Sequence, residues 1–147
     1  MKKGKLLFVI SQFYKGGAEV SLLNLLKRID STKYDVDLMV MNQCPAEGAV
    51  DIISELPKNV KVIDVYRQNK NLSIVAKTLS KLLFTSEDLG KFGSTALQYA
   101  REHTYDWAFH IGEWWSPEFV ARKVKATRKA VWIHTDISLA SSFQSEE

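Results

Sequence analysis

The chain has one cysteine, Cys44, in 147 residues. A single thiol excludes an internal disulfide and fits a reducing compartment. Long hydrophobic runs are missing as well, with nothing near the ~20 apolar residues a membrane span needs. Lys2 and Lys3 precede the apolar stretch Leu6–Ile10, but that stretch is too short for the core of a secretory leader and no small-residue cleavage site follows. The expectation is a cytoplasmic chain. Charge of one sign is not in large excess: the formal net charge is +3, short of the concentrated basic face that nucleic acid requires. No repeat or low-complexity tract occurs. With 46% apolar and 25% charged residues, the composition is that of one soluble globular domain with a real core.

Several cofactor loops are absent too. The dinucleotide fingerprint G-x-G-x-x-G is missing, and Asn42 stands where a ribose-clamping acid would be expected after the second strand. No G-x-x-x-x-G-K-[ST] phosphate loop and no G-x-S-x-G nucleophile elbow is present. A phosphoacceptor receiver would carry acids after its first strand, where this chain has Ser11 and Gln12.

What is present is an alternation of strand-like and helix-like segments. Lys5–Ile10, apolar without a break from Leu6, reads as a fully buried strand. Ala18, Leu22, Leu25, Leu26 and Ile29 recur at helical spacing, predicting a helix over Gly17–Ile29. A turn and a second strand follow in Ser31–Met41, then a short helix over Glu47–Leu56, stopped by Pro57, and a third strand over Val60–Val65. Tyr66–Asn71 reads as a polar connector. Leu72–Leu83 and Lys91–His103 read as two helices, Tyr105–Ile111 as a fourth strand, Ser116–Lys125 as a helix and Lys129–His134 as a fifth strand. Strands separated by helices predict an α/β, Rossmann-like, doubly wound and mainly parallel sheet with helices on both faces, in the order 3-2-1-4-5. Its ligand crevice falls at the reversal between strands one and four, lined by Tyr14–Gly17 and Gly112–Ser116.

The turn into the first helix is distinctive. Four backbone N–H groups at a helix start have no partner, and Ser, Thr, Asp or Asn normally satisfies one of them. Here Lys15, Gly16 and Gly17 precede the helix. A glycine pair neither caps nor blocks approach, which suits a hydroxyl-rich or anionic ligand; a turn needing only glycine's flexibility explains it equally. Glu19 in the first turn would repel a phosphate lying directly on it, so sugar hydroxyls or the edge of a phosphate, rather than a full pyrophosphate, are the expected occupants.

These segments together resemble the opening of the family 4 glycosyltransferases, retaining enzymes of the two-domain GT-B architecture. The resemblance is carried by the first-strand run, the Gly16-Gly17-Ala18-Glu19 turn, "LLNLLKRID", "KYDVDLMV", "LPKNVKVI", "YDWAFHIG" and "AVWIHTD", and it spans essentially the whole chain. It implies a domain that mostly binds the acceptor glycan or glycolipid, while a second domain binds the nucleotide-diphosphate sugar. It implies Gly16 and Gly17 beside the donor's phosphate and sugar, His134 in the cleft near the transferred sugar, and Asp136 orienting a hydroxyl. Neither a dinucleotide cofactor nor a catalytic metal is implied. The donor domain is absent and the first domain stops early, so residues 1–147 are expected to be a truncated domain that transfers no sugar alone. The alternative is a stand-alone binding or interaction domain, or a non-catalytic subunit of a two-component transferase.

Other residues carry two readings each. Trp114 and Trp115 offer a stacking platform for a sugar ring or plug an apolar gap. Glu113 is an acceptor contact or a helix-terminal acid. Trp107 and Trp132 read as core. His110 and His134 end apolar strands without a second ligand at metal spacing, so a metal site is not expected. Arg67, Lys70, Lys77 and Lys81 surround an apolar helical stripe, which suits either an anionic membrane surface or a solvated helix packed on the sheet. A missing partner domain also predicts exposed apolar surface and self-association.

Overall fold

The computed structural model describes residues 2–112 and 117–134. Five strands form one sheet: β1 (Gly4–Ile10), β2 (Tyr34–Val40), β3 (Val60–Asp64), β4 (Thr104–Ile111) and β5 (Lys125–Trp132). All neighbours pair in parallel, in the order β3-β2-β1-β4-β5. This is the doubly wound α/β arrangement expected from the alternation of segments. The central strand explains itself, because Leu6–Ile10 are all buried and the run has no polar face to offer water.

Helix α1 (Gly17–Leu26) covers one face of the sheet, burying Leu22, Leu23 and Leu26 against Phe8, Ile10, Leu38 and Val40. The opposite face receives α5 (Ser94–Glu102), which contributes Ala96, Leu97 and Ala100, and a one-turn π-helical segment, Phe119–Lys123, which contributes Phe119 and Val120. These pack on Leu7, Val9, Met39 and Ile63. Three further helices lie between β3 and α5: α2 (Val65–Lys70), α3 (Ile74–Leu83) and α4 (Ser86–Phe92).

Several segments differ from the sequence reading. Glu47–Leu56 is not a helix; only Ile53–Glu55 forms a single 3-10 turn, while Tyr14 and Asp51 form an antiparallel bridge. Gly48 sits at φ +73°, and burying Ile52 beside Phe13 draws the segment out along the loop after β1. The connector Tyr66–Asn71 is mostly helical, because Asp64 accepts a hydrogen bond from the Arg67 N–H and starts α2 at Val65. The helix expected over Lys91–His103 is divided at Gly93, whose φ of +77° ends α4 and begins α5. Of the helix expected over Ser116–Lys125, Ser116 lies outside the described residues and the rest forms only the π turn before β5. β5 begins at Lys125, four residues before the expected Lys129; paired with β4 alone among the described residues, it tolerates the polar residues that disguised its start.

Candidate functional site

The carboxyl ends of β1 and β4 lie side by side, with Ile10 in register with Ile111. The chain leaving β1 is held rather than loose. Phe13 is fully buried, its N–H donates to Gln43 Oε1 at 2.8 Å, and its carbonyl accepts from the Ile52 N–H. The Lys15 N–H donates to the Val50 carbonyl at 2.8 Å, and the Tyr14 hydroxyl donates to the Cys44 carbonyl at 2.5 Å. Burial at the loop lifts the Tyr14 hydroxyl above its ordinary pKa, with the Cys44 thiol a lesser cause. Phe13 and Ile52 thus fix where the next residues, the glycine pair, emerge.

Gly16 is the N-cap of α1 in extended conformation, and no side chain caps the helix. The first intrahelical bond runs from the Val20 N–H to the Gly16 carbonyl, which leaves the amides of Gly17, Ala18 and Glu19 without an intrahelical acceptor. A Cβ placed on Gly17 would meet none of the described residues within 4 Å, whereas one on Gly16 would lie 2.5 Å from Glu19 Oε2. The Glu19 carboxylate therefore reaches back to the turn from the third helical position. It disfavours a phosphate over the helix end and can accept bonds from hydroxyls. Beside it is a cavity of about 60 Å³ lined by Ile10, Ser11, Gln12, Ala18, Glu19, Ile111 and Gly112. That is the space of a few waters, enough for a ligand's hydroxyls with its body on the rim.

His134 lies two residues past β5 and stacks on Trp132, with ring centroids 4.9 Å apart. β4 separates it from the glycine turn, so two strand spacings, about 10 Å, lie between their positions in the sheet. Glu113, Trp114, Trp115 and Asp136 lie outside the described residues. Trp107 and Trp132 are half-buried at the edge of the α1-side cluster rather than deep in it, and Arg128 sits 5.2 Å from the Trp107 ring centroid. His110 is fully buried within β4. Among the described residues, no group of three or more His, Cys, Asp or Glu is placed to hold a metal.

A larger groove, of about 640 Å³, was not anticipated from the sequence. It runs along the same carboxyl rim on the β2 side, lined by Ser11, Asn42, Tyr66, Lys70, Lys91 and Gly93 among others. Its size is that of a small-molecule pocket. Asn69 braces it: its Oδ1 accepts from the Thr95 N–H at 2.9 Å, and a Cβ on Gly93 would collide with its Nδ2. Lys70 lies 4.5 Å from the Tyr66 ring centroid. Lys91 pairs with Glu87 at 2.8 Å and Glu118 at 3.6 Å, and the Glu87 hydrogen bond raises its pKa. The available signals were Asp64 as a helix-starting acid and Gly93 inside a helical pattern; neither is apolar periodicity. Comparison with protein-family models, curated proteins and solved structures finds no match for this chain.

Proposed function

We propose that this chain is the acceptor-side part of a retaining GT-B glycosyltransferase, in which a sugar passes from a nucleotide-diphosphate donor to an acceptor hydroxyl during polysaccharide or glycolipid assembly. The observation that carries the reading is the start of α1, uncapped by any described side chain, at the carboxyl rim beside the β1–β4 reversal, with no described residue within 4 Å of a Cβ on Gly17. In this reading the first-turn amides, which have no intrahelical acceptor, and the Glu19 carboxylate hold sugar hydroxyls. The rim groove between α2 and α4 takes the body of the acceptor glycan or glycolipid. His134 faces the transferred sugar once a donor-binding domain or partner subunit closes the cleft. The donor diphosphate is held by that second part, so these 147 residues turn over no sugar by themselves.

A second reading is a binding domain or non-catalytic subunit with no transfer chemistry. It is favoured by one observation: the larger groove is lined by neither Gly16 nor Gly17. Saturation-transfer NMR separates the two. The chain would be incubated in turn with a panel of methyl hexosides and N-acetylhexosamines, and with nucleotide-diphosphate hexoses. The transferase reading expects saturation of the hexoside ring protons and weak or no saturation of the nucleotide. Saturation of the nucleotide alone, or of nothing in the panel, would overturn it.

A further inference from the structure

The modest net charge conceals a local concentration. From Phe119 to His134 the chain carries five cations, Arg122, Lys123, Lys125, Arg128 and Lys129, and no acid. Two of them are neutralised from outside this segment: Arg122 pairs with Glu118 at 2.9 Å and Lys123 with Asp88 at 2.7 Å. The other three lie on β5 and meet no carboxylate among the described residues. The Lys125 Nζ donates to the Arg101 carbonyl at 2.6 Å, the Lys129 Nζ donates to the Ala121 carbonyl at 2.8 Å, and the Arg128 guanidinium lies over the Trp107 ring.

These three cations stand on an edge. β5 pairs with β4 alone among the described residues, so the N–H and C=O groups along its far side face outward. The two edges of the sheet differ. β3 spans five residues and buries Val60 and Ile63, whereas β5 spans eight, of which Lys125, Thr127, Arg128, Lys129 and Val131 are exposed. Strand alternation puts Lys125, Thr127, Lys129 and Val131 on one face. The bonds from both lysines, to α5 and to the π turn, identify it as the α5 side. A strand added at this edge would set its side chains opposite these residues, about 5 Å away. Acids opposite Lys125 and Lys129, and an apolar residue opposite Val131, make favourable cross-strand pairs. A second copy of β5 fits badly, because two-fold antiparallel pairing brings cations against cations. Lysines on an edge keep other sheets from adding to it; the same charge selects an acidic strand.

We propose that the far edge of β5 is a docking site for an extended acidic segment of a partner protein. The segment joins the sheet as a further strand and sets carboxylates against Lys125 and Lys129 on one face and Arg128 on the other. Backbone hydrogen bonds supply the affinity, and the row of cations supplies the selectivity. The inference stands apart from the transferase reading, because it uses neither the glycine turn nor the groove.

Amide NMR of the full chain tests it with an acetylated and amidated peptide, Glu-Thr-Thr-Glu-Glu-Thr-Val-Val, and with the reversed sequence, so that both strand directions are sampled. At low salt, saturable shifts along Lys125–Trp132 are expected with at least one of the two. Hydrogen exchange at the outward amides of β5 is expected to slow about five-fold, and binding to weaken about ten-fold at high salt. The double variant Lys125→Gln, Lys129→Gln changes exposed side chains and is expected to bind about five-fold more weakly, with an unchanged circular dichroism spectrum. No shifts on β5 with either peptide, or equal binding of a peptide with lysine in place of each glutamate, would overturn the proposal. Equal binding of Glu-Pro-Thr-Glu-Glu-Pro-Val-Pro, whose prolines cannot donate to a ladder, would also overturn it, since charge alone would then suffice. So would binding of dextran sulfate without a response to either acidic peptide, because the row would then serve a polyanion and not a strand.

Discussion

A part-buried polar node lies away from the proposed site, near the amino end of β4. The hydroxyls of Tyr99 and Tyr105 both donate to Asp37 Oδ2, at 2.7 and 2.6 Å, and His103 stacks on the Tyr99 ring with centroids 3.8 Å apart. Burial, reinforced by the Asp37 carboxylate, pushes the Tyr105 hydroxyl far above the ordinary tyrosine range and moves Tyr99 in the same direction. A raised folded-state pKa means that the native state holds these protons more tightly than the unfolded chain. Their contribution is therefore complete below the unfolded value of about 10 and is lost as pH rises past it. Guanidinium midpoints should stay level between about pH 7 and 9 and fall above about pH 10. Tyr105→Phe should cost about 1 kcal/mol at neutral pH and make the alkaline fall shallower. An unchanged alkaline limb in that variant would show that the hydroxyl is not the titrating group. The sequence revealed little of this node: Asp35 and Asp37 alternate with apolar residues as an outward face would, and nothing local marks Asp37 as the one with two tyrosine partners.

Among the elements, legibility followed apolar density. β1 to β4 were readable because each is a run of apolar or alternating residues that only a sheet interior satisfies, and their observed limits lie within a few residues of those expected. Segments held by a single polar contact were not readable. α2 has no apolar stripe and exists because Asp64 caps it and Val65 anchors it. The Glu47–Leu56 segment had helical spacing, but burial of Ile52 beside Phe13 outweighed it. The division of α4 from α5 rests on Gly93, whose positive φ few other residues adopt. Gly93→Ala would combine strained backbone with a Cβ driven against Asn69, which also accepts from the Thr95 N–H. Urea unfolding should show a loss of about 1–3 kcal/mol and a broadened or weakened groove signal from Tyr66. A loss below about 0.5 kcal/mol, the range of neutral surface changes, would mean that the corner relaxes without strain.

At the scale of the whole molecule, strand order was the most legible property, because right-handed crossovers leave few ways to wind five parallel strands. The site was legible only in part. The glycine pair announced itself by lacking a capping side chain, and its position at the carboxyl rim follows from the order of the sheet. The neighbouring groove did not, since it is formed by α2, α4 and the Gly93 corner, none of which has a periodic signature. On α3 the apolar stripe faces water, with Ile74, Val75 and Leu82 exposed and Ser80 buried. It was visible as a stripe, but its direction depended on Ala76 and Ser80 being the residues small enough to pack inward. The central claim is that the first-turn amides of α1 are kept open for sugar hydroxyls. Residue-resolved amide NMR during titration with methyl hexosides tests it most directly. Saturable shifts are expected at Gly16, Gly17 and Ala18, spreading to Gly112 and the groove. Saturable shifts confined to residues remote from the carboxyl rim, or no shifts at millimolar sugar, would contradict it.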